Sequence, residues 1–194
     1  MQPTFSATAS AIEVQWHLTC NRFAEWTRED IFHFRWFFLL ALFIISGYIW
    51  WKMLDKSRLN EIFLYTAFIT IITLVLDELG EELSLWDYPV DIFPIFPPLT
   101  AVDLASLPII YSLIYQYFGT WKKFITATVI MAVIFCFVLE PILVWVKIYQ
   151  TITWKYYYGF PIYSLMAIFT RAVVLKVYKT VGKNKILGRR QTNQ

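Results

Sequence analysis

Two acidic residues, Asp103 and Glu140, lie inside strongly apolar segments of the chain, and each is close to a proline. Asp103 precedes Pro108 by five residues, and Glu140 directly precedes Pro141. A proline in a helix leaves the carbonyl four residues before it without its usual partner. An acid in such a segment is costly when ionised, so it is protonated, paired or next to a wet cavity. Both residues are therefore candidates for carrying a proton or a cation, or for an interhelical hydrogen bond.

A run of acidic residues follows the second apolar segment, with seven carboxylates and no Lys or Arg between positions 77 and 103. If the helix continues, the first four share one face, where like charges repel, and lie at a C-terminal end, where the helix dipole disfavours anions. This unfavourable electrostatic energy could be offset by a new short helix that begins with the acids, by a bound Ca²⁺ or Mg²⁺, by basic groups of a protein partner, or by plain solvation. These four residues form the predicted acidic cluster: Asp77, Glu78, Glu81 and Glu82.

Aromatic residues occupy two loops that have the same order of residue types. Trp86 and Tyr88 precede the proline-rich stretch IFPIFPP, and Trp154 begins the stretch WKYYYGFP. Tryptophan and tyrosine are enriched where a membrane meets water, so an interfacial aromatic belt accounts for both loops. A stacking platform for an external ligand is the alternative interpretation.

Several kinds of chemistry have no support in the sequence. His17 and His33 both precede the first long apolar segment, and Cys20 is the one cysteine near them in sequence, which is too few ligands for a site, so neither zinc nor haem ligation is predicted. The glycine-rich phosphate loop and the common hydrolase and metalloprotease motifs are absent from the sequence. We expect no cofactor, no nucleic-acid partner and no enzymatic activity. A hydrolase in which Asp103 and Glu140 share a proton is conceivable, but nothing marks its substrate.

The composition indicates the environment in which these residues act. Hydrophobic residues make up 58% of the chain, aromatic residues 20%, and charged residues only 16%. Soluble domains rarely reach such values, so we predict an integral membrane protein and an all-α fold, a polytopic bundle of about five transmembrane helices. The predicted spans cover about 34–51, 62–76, 92 or 98–118, 124–149 and 156–178, with the start of the third blurred by Pro94, Pro97 and Pro98.

Basic residues are distributed unevenly around these spans. Eleven of the seventeen lie in the segments that share a side with the C-terminus, whereas the loop from Asp77 to Asp91 has none. Because basic residues favour the cytoplasmic side, we predict a multi-pass cell-membrane protein with its N-terminus outside and its C-terminus in the cytoplasm. The predicted division is an external, interfacial segment 1–33, a membrane domain 34–178 and a basic cytoplasmic tail 179–194.

Four stretches between about Leu76 and Tyr178 carry a resemblance to a known family: LDELGEELSLWDYP, IYQYFGTWKKF, FVLEPILVW and WKYYYGFPIY. In these stretches the chain resembles a family of small multi-spanning membrane proteins of spore-forming Gram-positive bacteria, such as bacilli and clostridia. No activity is established for that family. The resemblance therefore implies a setting and a type of fold, without a mechanism.

Three functions are consistent with these patterns. The first is association, in which the bilayer-embedded protein meets a partner, a second copy of itself or ions at its acidic loop. The second is a small cation- or proton-coupled transporter or channel subunit that uses Asp103 and Glu140. The third is a lipid-modifying intramembrane enzyme. The sequence contains no motif that selects a substrate.

Overall fold

The computed structural model describes residues 4–94, 99 and 101–191, and it is dominated by helices. The strands are only two residues long each, which confirms the all-α class. The described elements are α1 (Thr4–Glu25), α2 (Phe34–Met53), α3 (Leu59–Glu82), β1 (Trp86–Asp87), α4 (Leu107–Tyr117), α5 (Trp121–Ile134), α6 (Glu140–Trp145), β2 (Gln150–Thr151) and α7 (Tyr156–Gln191).

Four helical segments are long and apolar enough to cross a membrane. They are Phe34–Met53, Lys56–Glu82, Trp121–Trp145 and Tyr156–Val181. Each has at least the 20 or so residues that about 30 Å of hydrocarbon requires. They correspond to the first, second, fourth and fifth spans predicted from the sequence.

The third predicted span has a different character. Helix α4 has 11 residues and follows a π-helical turn at Val102–Ser106, so the two together are shorter than the four long segments. Much of α4 is buried, including Tyr111, Ser112 and Tyr115, because it packs against α2, α3 and α5 inside the bundle. The sequence analysis could not decide where this span starts, because of the prolines near it. Two of these, Pro97 and Pro98, lie outside the described residues.

Three helix ends differ from the predicted ones. Helix α3 continues to Glu82 instead of ending near Leu76, so the acids do not begin a new helix. The fourth span ends at Trp145 and not at Tyr149, because Lys147 adopts a positive φ of 58° and turns the chain away. Helix α7 runs on to Gln191, so no break in the helix separates the membrane domain from the basic tail at 178.

Both prolines near the candidate acids follow a π-helical turn. Val102–Ser106 precedes Pro108, and Phe135–Leu139 precedes Pro141. A π turn inserts an extra residue into the helical repeat, which absorbs the backbone mismatch that a proline creates. Such turns are frequent at functional sites.

The main apolar core lies among α3, α4, α5 and α7. Tyr65 and Tyr115 stack with ring centroids 4.2 Å apart, and Phe124 packs edge-on against both. Arg171 of α7 is buried beside them. Its guanidinium donates to the carbonyls of Phe118 (2.7 Å) and Gly119, which are left open where α4 ends.

One end of the bundle, here called the acidic end, contains the end of α3, the start of α2, the end of α6 and the start of α7. Two loops are tied together there, since β1 pairs with β2 in an antiparallel register, Trp86 opposite Thr151 and Asp87 opposite Gln150. The carbonyl of Leu85 accepts the N–H groups of Ile152, Thr153 and Trp154 at 2.9–3.1 Å. The two aromatic loops of the sequence therefore form one unit.

The segment before α2 also contacts the acidic end. Helix α1 is exposed along much of its length, and the Trp26 indole beyond it donates to the Asp91 carbonyl at 3.2 Å. The side chain of Arg35 donates to the Lys147 carbonyl at 3.1 Å, which links the start of α2 to the turn after α6.

Candidate functional site

Three carboxyl groups are buried near one another at the acidic end. Asp77 comes from α3, Asp103 from the π turn before α4, and Glu140 from the first position of α6; their exposed fractions are 8%, 3% and 7%. Asp77 is five residues from the end of its helix and Glu140 five from the end of α6, which places both about 8 Å inside the acidic end. The structure thus brings Asp103 and Glu140 to one region, and it adds Asp77.

Asp77 is held by two aromatic donors from the loop after α3. The Trp86 indole N–H donates to Asp77 Oδ1 at 2.9 Å, and the Tyr88 hydroxyl donates to the same oxygen at 2.6 Å. Burial and the nearby Asp77 carboxyl raise the pKa of Tyr88 well above its usual range, so the phenol stays a donor. Gly80 lets the Trp86 ring lie directly on the backbone of α3, because a Cβ at position 80 would overlap the indole.

The carboxyl groups of Asp77 and Asp103 are close enough to interact with each other. Asp77 Oδ2 is buried and has no hydrogen-bond donor among the described residues. Asp103 Oδ2 also accepts the N–H of Leu99 at 3.2 Å. Two buried carboxyls in contact cannot both be ionised without a large cost, so the pair is expected to share one proton.

Glu140 forms the third corner of the site. Its Oε1 accepts the hydroxyl of Tyr163 at 3.0 Å, and the Trp154 indole also faces the carboxyl group. Helix α7 approaches closely here, since a Cβ on Gly159 would lie 3.3 Å from Glu140 Oε1 and 3.1 Å from Cys136 Sγ. The other oxygen, Oε2, is buried without a hydrogen-bond partner among the described residues.

Two cavities meet these carboxyls. The larger, of about 510 Å³, lies between α2, α4 and α6 and includes Asp77 and Glu140 in its lining. The smaller, of about 300 Å³, lies against α3 and α7 and includes Asp77 and Asp103. Apart from its acidic and aromatic end, the larger cavity is lined by aliphatic side chains and phenylalanines, with two serines.

The larger cavity opens sideways, through an apolar rim. One face of α2 lines it through Phe38, Leu42, Ser46 and Ile49, which follow the helical repeat. Phe38, Ile49 and, across the opening, Ile142 are 47%, 44% and 48% exposed. All three belong to segments long enough to cross a membrane, so the opening lies where lipid chains would surround the protein.

The predicted acidic cluster separates into different environments. Asp77 points inward, whereas Glu81 forms an ion pair with Arg22 in the last turn of α1, at 2.6 Å. Glu78 is half-buried and Glu82 exposed. Within the described ranges, no group of three His, Cys, Asp or Glu side chains has the arrangement of a metal site. The cation predicted for this cluster therefore gains no support from its geometry.

The predicted aromatic residues Trp86, Tyr88 and Trp154 line the larger cavity together. The rings of Trp86 and Trp154 pack edge to face with centroids 4.7 Å apart. The stacking platform and the interfacial belt both stay predictions for these three residues. In contrast, Tyr157 and Tyr158 are exposed, as an interfacial belt would require.

The sequence analysis did not identify Tyr163 and Tyr149, both of which line the larger cavity, or the face of α2. The signal for Tyr163 was its position four residues after Gly159, on one face of a helix whose glycine permits close approach. Arg171 and Lys147 do not pair with Glu140: Arg171 binds the end of α4, and Lys147 lies in the turn after α6.

Comparison of the chain with protein-family models, with curated proteins and with solved structures found no match.

Proposed function

We propose that the protein is a five-span membrane protein that binds a membrane-dissolved, lipid-like molecule in the larger cavity. The observation that carries this proposal is the combination, in one cavity, of an apolar lateral opening with two buried carboxyls, those of Asp77 and Glu140. A ligand with an apolar body could enter from the bilayer and place its polar group near Asp77 and Glu140. Apolar pockets with a few convergent polar groups are the usual form of small-molecule sites.

The topology is part of the same proposal. We infer that α4 with its preceding turn is the additional span, third along the chain, so that the acidic end faces outward and the basic C-terminal side faces the cytoplasm. The basic asymmetry of the sequence supports this orientation. The resemblance to a family from spore-forming bacteria, and association with a protein partner or a second copy, stay predictions.

The core argues for a binding site rather than an open channel. Tyr65, Tyr111 and Phe135 are buried between the carboxyls and the opposite end of the bundle, where Arg58 pairs with Glu61 at 2.8 Å. These rings belong to one packed apolar cluster. A continuous polar path from one end to the other is therefore absent from the described part of the chain, so ion conduction would need a different conformation.

Photo-crosslinking tests the proposed cavity. The protein in lipid nanodiscs is exposed to a fatty alcohol that carries a diazirine on its chain, and labelled peptides are identified by mass spectrometry. We expect labelling on the α2 face that contains Ser46 and on the start of α6. Ser46→Phe fills the cavity from its wall and should remove most of this labelling.

Gly47→Phe is the matched control. Gly47 is adjacent to Ser46 on α2 but does not line the cavity, and a Cβ there meets nothing within 4 Å. This variant should therefore label like the original protein. Equal labelling of the two phenylalanine variants would show that the probe reports only general contact with lipid, and the proposal would fail.

A further inference from the structure

The charge of the site restricts the kind of ligand that it can take. Among the described residues that line the two cavities there is no Lys, Arg or His, whereas three carboxyls reach them. If Asp77 and Asp103 share one proton, that pair alone carries one negative charge with no basic side chain beside it. Burying an uncompensated charge in an apolar setting is expensive.

Glu140 has a carboxyl oxygen without a hydrogen-bond partner among the described residues. Glu140 is 93% buried and lines the larger cavity, and its Oε2 has no hydrogen-bond donor in the described structure. Its Oε1 is already engaged by Tyr163. Buried polar atoms without a partner are rare and call for an explanation, and a ligand that supplies positive charge would provide one.

Aromatic side chains line the same cavity as Glu140. Trp86, Trp154, Tyr149 and Tyr163 all line the cavity next to the carboxyls. The face of an aromatic ring attracts a cation, by about 0.5 to 2 kcal/mol depending on how far the pair is desolvated. Carboxyls, ring faces and the lack of a competing basic group thus all favour the same ligand charge.

We infer that the ligand is a lipophilic cation, with a positively charged centre that lies beside Glu140 and an apolar body that fills the cavity. This inference rests on the proposed function and specifies its ligand class. An anionic lipid would find no basic partner in either lining. A neutral lipid would leave the negative charge of the site uncompensated.

Two ions of the same shape and opposite charge test the inference. Tetraphenylphosphonium and tetraphenylborate are titrated against the protein in nanodiscs of zwitterionic lipid, with empty nanodiscs as the blank. We expect the cation to bind at least tenfold more tightly than the anion. Glu140→Gln keeps the shape of the side chain and should weaken cation binding about tenfold, which corresponds to roughly 1.4 kcal/mol.

Glu78→Gln is the matched control, because it removes the same charge from a half-buried residue of α3 that lines neither cavity. It should leave cation binding unchanged. Equal binding of the two ions, or an equal loss in both Gln variants, would overturn the inference. Dependence of fatty-alcohol labelling on Ser46→Phe would still support the proposed function in that case.

A second variant decides the matter if Glu140→Gln does not fold. Glu140→Asp keeps the charge on a shorter side chain, so a preference for the cation should persist with weaker binding. A folded Glu140→Asp protein that binds both ions equally would overturn the inference.

Discussion

Replacement of Gly80 by alanine should destabilise the acidic end, because the new Cβ would overlap the Trp86 indole. An ideal Cβ at this position falls on ring atoms Cζ2, Cη2 and Cε2, which belong to a rigid ring. The indole must move away, and its N–H then leaves Asp77 Oδ1. The contact between Trp86 and Trp154 is also disturbed.

The expected cost combines three contributions. Overpacking typically costs about 1–3 kcal/mol, and a hydrogen bond to a charged group contributes about 1.5–3 kcal/mol. Alanine gains about 1 kcal/mol over glycine within a helix. We therefore expect Gly80→Ala to lower the free energy of unfolding by about 2–4 kcal/mol. The measurement is an SDS titration of the protein in mixed micelles, followed by circular dichroism.

Gly47→Ala is the internal control, since its new Cβ has open space in the middle of α2. The same substitution should there be neutral or stabilise by up to about 1 kcal/mol. A double-mutant cycle isolates the cause. In a Trp86→Ala background, the cost of Gly80→Ala should nearly disappear, because the overlapping ring is gone. An equal cost in both backgrounds would refute the steric explanation.

Three further predictions address the proton-sharing pair, the end of α4 and the topology. In the same assay, Asp103→Asn should lower the free energy of unfolding by about 1–3 kcal/mol less than Asp77→Asn does. An amide at position 103 can still donate to Asp77, whereas the amide nitrogen of an Asn at position 77 would face two donors. Equal losses in the two variants would contradict a shared proton. Arg171→Gln should lower the free energy of unfolding by about 2–4 kcal/mol, because the carbonyls of Phe118 and Gly119 lose the buried guanidinium that donates to them. Arg171→Lys should restore only part of the lost stability, since an ammonium lacks the planar fork of a guanidinium. Full restoration would indicate instead that the charge extends to the membrane interface. Cysteines placed at the exposed residues Ser84 and Thr180 should react with membrane-impermeant reagents from opposite sides of the membrane, outer and cytoplasmic; reaction from one side would exclude the five-span model.

The sequence was most informative where a single physical property dominates. Apolar runs located the four long segments because crossing hydrocarbon demands length and low polarity together. Asp103 and Glu140 stood out for the same reason, as acids are costly in such runs. The structure places both of them at the candidate site, as two of its three buried carboxyls.

The sequence was least informative where a side chain's environment depends on distant residues. Asp77 belongs to the same acidic run as Glu78 and Glu81, so the sequence left the same alternatives open for all of them: a new helix, a cation, a partner or solvation. Its inward position depends on Trp86 and Tyr88, which fold back onto α3, and on Asp103 from another helix. The end of the fourth span was also predicted too late in the sequence. Lys147 turns the chain after α6 through a positive φ, which a lysine in a sequence does not indicate.

The pairing of the two aromatic loops has a consequence for the motions of the site. Trp86 and Trp154, which line the larger cavity, are carried by backbone that is joined through the β1–β2 pairs and the three N–H groups on Leu85. Local opening of this end would break those hydrogen bonds as a group, and amide exchange reports such events on slow timescales. The exchange rates of Ile152, Thr153 and Trp154 would therefore measure how often water gains access to the carboxyls, and a ligand seated in the cavity would slow all three together.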